Sequence, residues 1–304
     1  MKGYFVLQYR MINRKLTDFG IKPFFSYPLF LTGFVALSIL LFKKTEFAGY
    51  IYILIALSFI IKLSNTKRND FLKICFSKKY IKIRVIENLI IALPFIFFLI
   101  YTSMFPLIIV LILLSALLAL ADFKISYTVT IPTPFYKKPF EFIVGFRNTF
   151  YLLAMSYALT FVAIRVNNFN LGAFAVLLIL LIVSSYYAKP EDEFYVWSYN
   201  FNAIDFLKEK IKTALLFSSS LVLPVITFLA IFFFGHIQFL LLLLLLYYLY
   251  LITFILAKYS AYPKEINLPQ FILIITTFLF PPALFAVIPY FFTQSLNRLK
   301  YILE

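Results

Sequence analysis

Apolar stretches of about 20 residues, long enough to cross a bilayer, dominate this 304-residue chain. They cover residues 24–42, 47–63, 86–103, 105–121, 145–166, 170–187, 213–235, 237–257 and 270–292. The ninth carries Pro281-Pro282 at its centre. Proline removes a donor and clashes with the preceding turn, so this segment is expected to be a kinked span or a re-entrant hairpin. Only 13% of residues are charged, against about 25% in a soluble domain, too few to clothe a soluble surface. The expectation is an all-α, polytopic integral membrane protein with 8–9 transmembrane helices in one transmembrane domain, residues 1–304.

The spans repeat. From Leu29 to Phe71, and 123 residues later from Leu152 to Phe194, the same order appears without a gap. Each copy has a span, a polar turn, a glycine (Gly49, Gly172), a second span and a charged stretch ending in Asp70-Phe71 or Glu193-Phe194. The offset then grows to 130, which brings Pro94 and Pro224 into correspondence as helix-kink positions alongside Pro281 and Pro282. The reading is an interfacial helix over 1–23, a first repeat over 24–123, a second over 140–258 and a Pro-broken segment over 259–304. Four spans per repeat is an even number, so the copies are expected to be parallel.

Residues 1–22 read as an amphipathic helix lying in the headgroup plane, with Phe5, Tyr9, Ile12, Leu16 and Phe19 on one narrow face. No cleavable leader is expected. With the N-terminus cytoplasmic, 23 of the 28 Lys and Arg fall in cytoplasmic segments, which predicts that orientation. The same reading absorbs the net charge of +15 and excludes nucleic acid as a partner. Nearly all extramembrane chain is then cytoplasmic.

No glycine motif for nucleotide phosphates occurs, nor H-E-x-x-H, nor G-x-S-x-G. The only histidine, His236, falls at a turn, and Cys75 is alone, so no catalytic residue, cofactor or metal is expected. The two long loops carry the remaining signal. One contains Arg68, Asp70 and Phe71; the other contains Glu191, Asp192, Glu193, Phe194 and the only tryptophan, Trp197. Adjacent acids gain nothing from anionic lipid, so the second loop reads as a surface for a cytoplasmic partner, with Trp197 as anchor.

In this arrangement the chain resembles the permease subunit of an ABC exporter of the ABC-2 type. Residues 65–94, an Arg–x–Asp–Phe–Leu stretch leading into a Pro-containing span, resemble that family's ATPase-coupling loop, and 191–224 resemble a second version. The resemblance implies a separate cytoplasmic ATPase subunit, a bacterial inner (cytoplasmic) membrane location, a hydrophobic or amphipathic cargo, and a homodimer or a heterodimer with another membrane subunit. The usual member has six spans, so eight or nine with a duplication departs from the pattern. A non-transporting scaffold subunit of an envelope complex is the alternative.

Overall fold

The computed structural model describes residues 2–121, 131–135 and 140–303. Residues 122–130 and 136–139, part of the expected link between the repeats, lie outside them. The described residues form thirteen α-helices and three 3-10 turns. They divide into two compact units, Met1–Thr128 and Val129–Glu304. Four helical stretches, Pro23–Lys44, Tyr80–Tyr101, Ala203–Phe232 and Phe234–Ala261, are long and apolar enough to cross a membrane.

The first unit contains α1 (Lys2–Phe19), α2 (Pro23–Lys44), α3 (Ala48–Leu63), α4 (Thr66–Phe76), α5 (Tyr80–Tyr101) and α6 (Phe105–Leu120). Its core is built on the Tyr52 ring, which meets Phe95 at 4.9 Å and Phe42 at 5.4 Å between centroids. The Tyr52 hydroxyl lies 3.0 Å from that of Ser38, satisfying the polar end of an otherwise apolar payload. The buried Arg84 guanidinium of α5 donates to the carbonyls of Ala121 (2.8 Å) and Leu118 (3.3 Å). These are orphan groups at the end of α6, which a cation both satisfies and complements.

The expected N-terminal helix is present as α1, but a different residue anchors it. Tyr4, outside the stripe, is buried against Leu72 and Ile83, with Phe5 of the stripe half-buried beside it. Its hydroxyl donates to Glu87 at 2.7 Å and accepts from Arg68 at 2.7 Å. Tyr9, Ile12 and Phe19 of the stripe stay exposed.

The second unit contains α7 (Phe140–Arg165), α8 (Phe169–Ser185), α9 (Glu193–Trp197), α10 (Ala203–Phe232), α11 (Ile237–Ala261), α12 (Leu268–Leu279) and α13 (Leu284–Leu303). Side-chain caps set three of its helix starts: Asn168 accepts from the Leu171 amide, Asp192 from that of Phe194 and Asn202 from that of Asp205. Tight links join α5 to α6 and α7 to α8 in the same way. Ser103 and Asn167 adopt φ of 58° and 49°, and the following amides reach back to Leu99 and Ala163, the αL ending that satisfies last-turn carbonyls.

Gly49 and Gly172 both mark close helix approaches. A Cβ would fall 2.6 Å from Leu107 Cδ1 at the first and 2.5 Å from Leu229 Cδ2 at the second, so each lets a neighbouring helix settle against its own.

The Pro-broken segment turns back on itself. Helix α12 ends at Leu279, a 3-10 turn holds Pro281–Ala283, and α13 starts at Leu284. Twelve residues rise about 18 Å, short of the roughly 30 Å of a hydrocarbon core. Tyr250 of α11 donates to the Thr277 carbonyl at 2.7 Å and stacks on Phe278 at 4.3 Å. Eighteen residues later Ser295 of α13 donates to the Leu256 carbonyl at 2.8 Å. A straight continuation would carry Ser295 away from Leu256, past the start of α11. The pair α12–α13 is therefore a hairpin, and the chain ends near the end of α11. Pro94 and Pro224, by contrast, lie inside the continuous helices α5 and α10.

A cysteine replacing the exposed Tyr301, in a Cys75→Ser background, should react with an impermeant maleimide from the same side as Lys264→Cys and the opposite side from His236→Cys. Labelling from the His236 side would mean that the last segment crosses the bilayer.

Candidate functional site

The most concentrated polar chemistry lies at one end of the second unit, where α7 begins, α8 ends, α10 begins and α11 ends. Glu141 stands in the first turn of α7, Glu191 between α8 and α9, Lys210 early in α10 and Lys258 in the last turn of α11. Lys210 Nζ lies 2.7 Å from Glu141 Oε1 and 3.1 Å from Glu191 Oε1. Lys258 Nζ lies 2.7 Å from Glu191 Oε2 and 3.9 Å from Glu141 Oε1. The side chains of Lys210, Lys258 and Glu141 are no more than 5% exposed.

Four buried ions in an apolar setting need both mutual pairing and further partners, since desolvation costs several kcal/mol per ion. Aromatic residues supply them. The Tyr259 hydroxyl donates to Glu191 Oε1 at 2.9 Å, and that of Tyr262 donates to the Glu191 carbonyl at 3.1 Å. Lys210 Nζ lies 4.9 Å from the Tyr199 ring centroid and Lys258 Nζ 5.1 Å from that of Tyr259, within cation–π range. Three valences remain unspent. Glu141 Oε2 and Glu191 Oε2 have no hydrogen-bond partner. Lys258 Nζ has none of good direction, so its contact with Glu191 is an ion pair rather than an aligned hydrogen bond.

The two carboxyls are driven apart in acidity. Burial pushes both upward. The Glu191 carboxyl beside it adds to the rise at Glu141, and with burial it outweighs the nearby ammonium groups. At Glu191 the neighbouring Glu141 carboxyl and the charges of Lys258 and Lys210 overcome burial and hold the carboxyl well below its ordinary range.

Beside this cluster lies a cavity of about 720 Å³. Glu141, Lys210 and Lys258 form its buried side; Phe140, Val144 and Tyr195 form an exposed lip. Thr149 and Tyr186, whose hydroxyls are 2.8 Å apart, line another wall.

The residues singled out in the sequence fall into two groups. Glu191 is drawn inward and is not part of an exposed acidic triplet, because two lysines and Tyr259 claim its carboxylate. Asp192, Glu193, Phe194 and Trp197 face outward, with Trp197 63% exposed. In the first unit Arg68 is likewise spent internally, on Glu87, Tyr4 and the Leu63 carbonyl. Asp70 and Phe71 are exposed, Asp70 lying 3.7 Å from Lys73. Glu141, Lys210 and Lys258 were not singled out in the sequence, yet one signal points to Lys210. The pair Arg68–Glu87 and the pair Glu191–Lys210 are each 19 residues apart. They are related by the same 123-residue shift, with the signs reversed.

Among the described residues no three His, Cys, Asp or Glu side chains converge to hold a metal. His236 is exposed and stacks on Phe169 at 4.5 Å. No family model, curated protein or solved structure matches this chain.

Lys258→Met should destabilise the detergent-solubilised chain by about 3–5 kcal/mol, because it leaves a buried carboxylate unpaired. The double change Glu191→Gln/Lys258→Met should recover part of that loss in denaturant titrations. An unaltered midpoint for the single variant would contradict a paired, buried cluster.

Acidity offers a second check. Folded Glu141 keeps its proton to higher pH than it does in the unfolded chain, so over that interval stability falls as pH rises. The wild-type thermal midpoint should therefore rise, relative to Glu141→Gln, as pH is lowered from 7 towards about 4.3. Glu191 acts with the opposite sign, its contribution disappearing only as pH drops through its depressed value. Parallel profiles for wild type and Glu141→Gln would refute the assignment to Glu141.

Proposed function

We propose that this chain is the membrane permease subunit of an ATP-driven transporter. In this reading it pairs with a separate cytoplasmic ATPase and moves a hydrophobic or amphipathic cargo. Its two units are the halves of a duplicated membrane domain with eight crossings and a C-terminal re-entrant hairpin. Helices α4 and α9 both lie on the cytoplasmic side, in a bacterial inner membrane.

One observation carries the reading. The short helix α9 presents Asp192, Glu193, Phe194 and Trp197 outward, while Glu191, immediately before it, is bound to Lys210 of α10 and Lys258 of α11. A partner seated on α9 would therefore act on a segment tied by charge to the ends of the long helices. Flexible loops dissipate a push; a segment ionically joined to α7, α10 and α11 transmits it as a rigid displacement. That is what coupling an ATPase cycle to helix motion requires. The chain has no nucleotide-binding motif of its own, so the work must come from a partner.

The chain purified from its own membranes in mild detergent should carry ATPase activity. Asp192→Lys/Glu193→Lys with Trp197→Ala should lower that activity about tenfold at equal chain recovery, the loss expected when an interface anchor is removed. Wild-type preparations devoid of ATPase activity would sink the proposal. Undiminished activity in the triple variant would move the docking surface elsewhere.

A further inference from the structure

The cavity beside the ion cluster has the attributes of a ligand site. At about 720 Å³ it falls in the range of small-molecule pockets, which are mostly apolar with a few convergent polar groups. Three of those groups, Glu141, Lys210 and Lys258, are charged and almost fully buried. Unused capacity of opposite kinds remains in the lining: Glu141 Oε2 and Glu191 Oε2 can accept, and the Lys258 ammonium has N–H groups left to donate.

Charge balance narrows the ligand. The lining carries three acids, Glu141, Glu191 and Asp192, and three bases, Lys189, Lys210 and Lys258. A ligand with net positive or negative charge would leave an uncompensated charge in a poorly solvated pocket, which is costly. A neutral ligand lacking charges would leave the carboxylate oxygens and the ammonium hydrogens unused. A group holding both signs meets both without adding net charge. Its positive end must also have N–H bonds to give, because the free partner is a carboxylate oxygen. The apolar lip of Phe140, Val144 and Tyr195, with the first and last rings 5.5 Å apart, suits hydrocarbon next to that polar end.

We propose that this cavity binds a zwitterion carrying a primary ammonium and an anionic phosphate or carboxylate on one small group. This is the chemistry of an aminophospholipid headgroup and also of free phosphoethanolamine. The ammonium meets Glu141, and the anion meets Lys258. The proposal is independent of an ATPase partner, because binding is measured on the chain alone.

Calorimetric titration of the full chain in detergent tests this with four probes: short-chain phosphatidylethanolamine, phosphatidylcholine, phosphatidylglycerol and free phosphoethanolamine. The ethanolamine lipid should bind saturably and about tenfold more tightly than the choline and glycerol lipids, the difference expected for one lost charged hydrogen bond. Weak binding of the free headgroup identifies the lipid as the source, and equal binding identifies a soluble zwitterion. Glu141→Gln should erase the preference for ethanolamine over choline. Val144→Trp, which fills the cavity from its exposed lip and leaves the ions untouched, should lower affinity about tenfold and guards against misfolding of the first variant. Equal affinity for all three lipids, no saturable binding, or wild-type binding by a folded Val144→Trp would overturn the proposal.

Discussion

The second unit depends on the mutual neutralisation of Glu141, Glu191, Lys210 and Lys258. Each of these groups alone would be expensive to bury, and together they hold four separate segments at one end of the helices. The arrangement is cooperative. Lys210 and Lys258 each lie within 4 Å of both carboxylates, so removing any one member leaves the others with an imbalance rather than a single missing contact. Hydrophobic packing along α8, α10 and α11 gives the unit its bulk. Packing between apolar faces leaves considerable freedom to slide, whereas ion pairs at 2.7 Å fix the register at which those helices meet.

The first unit uses the same device with the charges exchanged. Arg68 of α4 reaches Glu87 of α5, and Tyr4 of α1 bonds to both. Coulomb attraction is indifferent to which partner carries which sign, so a loop-to-helix tie survives such an exchange. What changes is the company each pair keeps. In the first unit a tyrosine hydroxyl from α1 completes the pair; in the second, a further acid and a further lysine do. The proline positions add a spacing difference. Glu87 precedes Pro94 by seven residues and Lys210 precedes Pro224 by fourteen, so α10 has two additional turns, about 10 Å, between its ion and its proline. Two turns preserve the helix face while lengthening the base of the second unit.

Much of the helical skeleton was legible from apolar run lengths, because spans of sixteen or more apolar residues admit few other structures. The ends were harder to read. Glu141, Lys210 and Lys258 lie one to four residues beyond the apolar runs at 145–166, 213–235 and 237–257. Charges in such places ordinarily meet water or headgroups, and nothing local distinguishes those that turn inward. For Lys210 the distinguishing signal is non-local, namely a charge pair repeated 123 residues later with inverted sign. In α1 the periodic stripe was legible, but the residue that docks the helix was chosen by Arg68 and Glu87, far along the chain. At Pro281-Pro282 the break follows from proline chemistry; its direction follows from Tyr250 and Ser295, which only tertiary contact specifies.

The partition of the segment 191–197 has a physical logic. In the proposed coupling, a contact surface that also moves helices needs one part exposed and another immobilised. A run of three acids could not do this if all faced solvent, since mutual repulsion and hydration would favour a loose loop. Sinking Glu191 between two lysines anchors the segment, and Asp192 then caps α9 through the Phe194 amide. The short helix keeps Phe194, Tyr195 and Trp197 outward while Val196 is buried. A five-residue helix has almost no stability of its own. Its orientation must therefore be imposed from below by Glu191 and Val196, and any displacement of the cluster or of the cavity beside it must also tilt the exposed aromatic face.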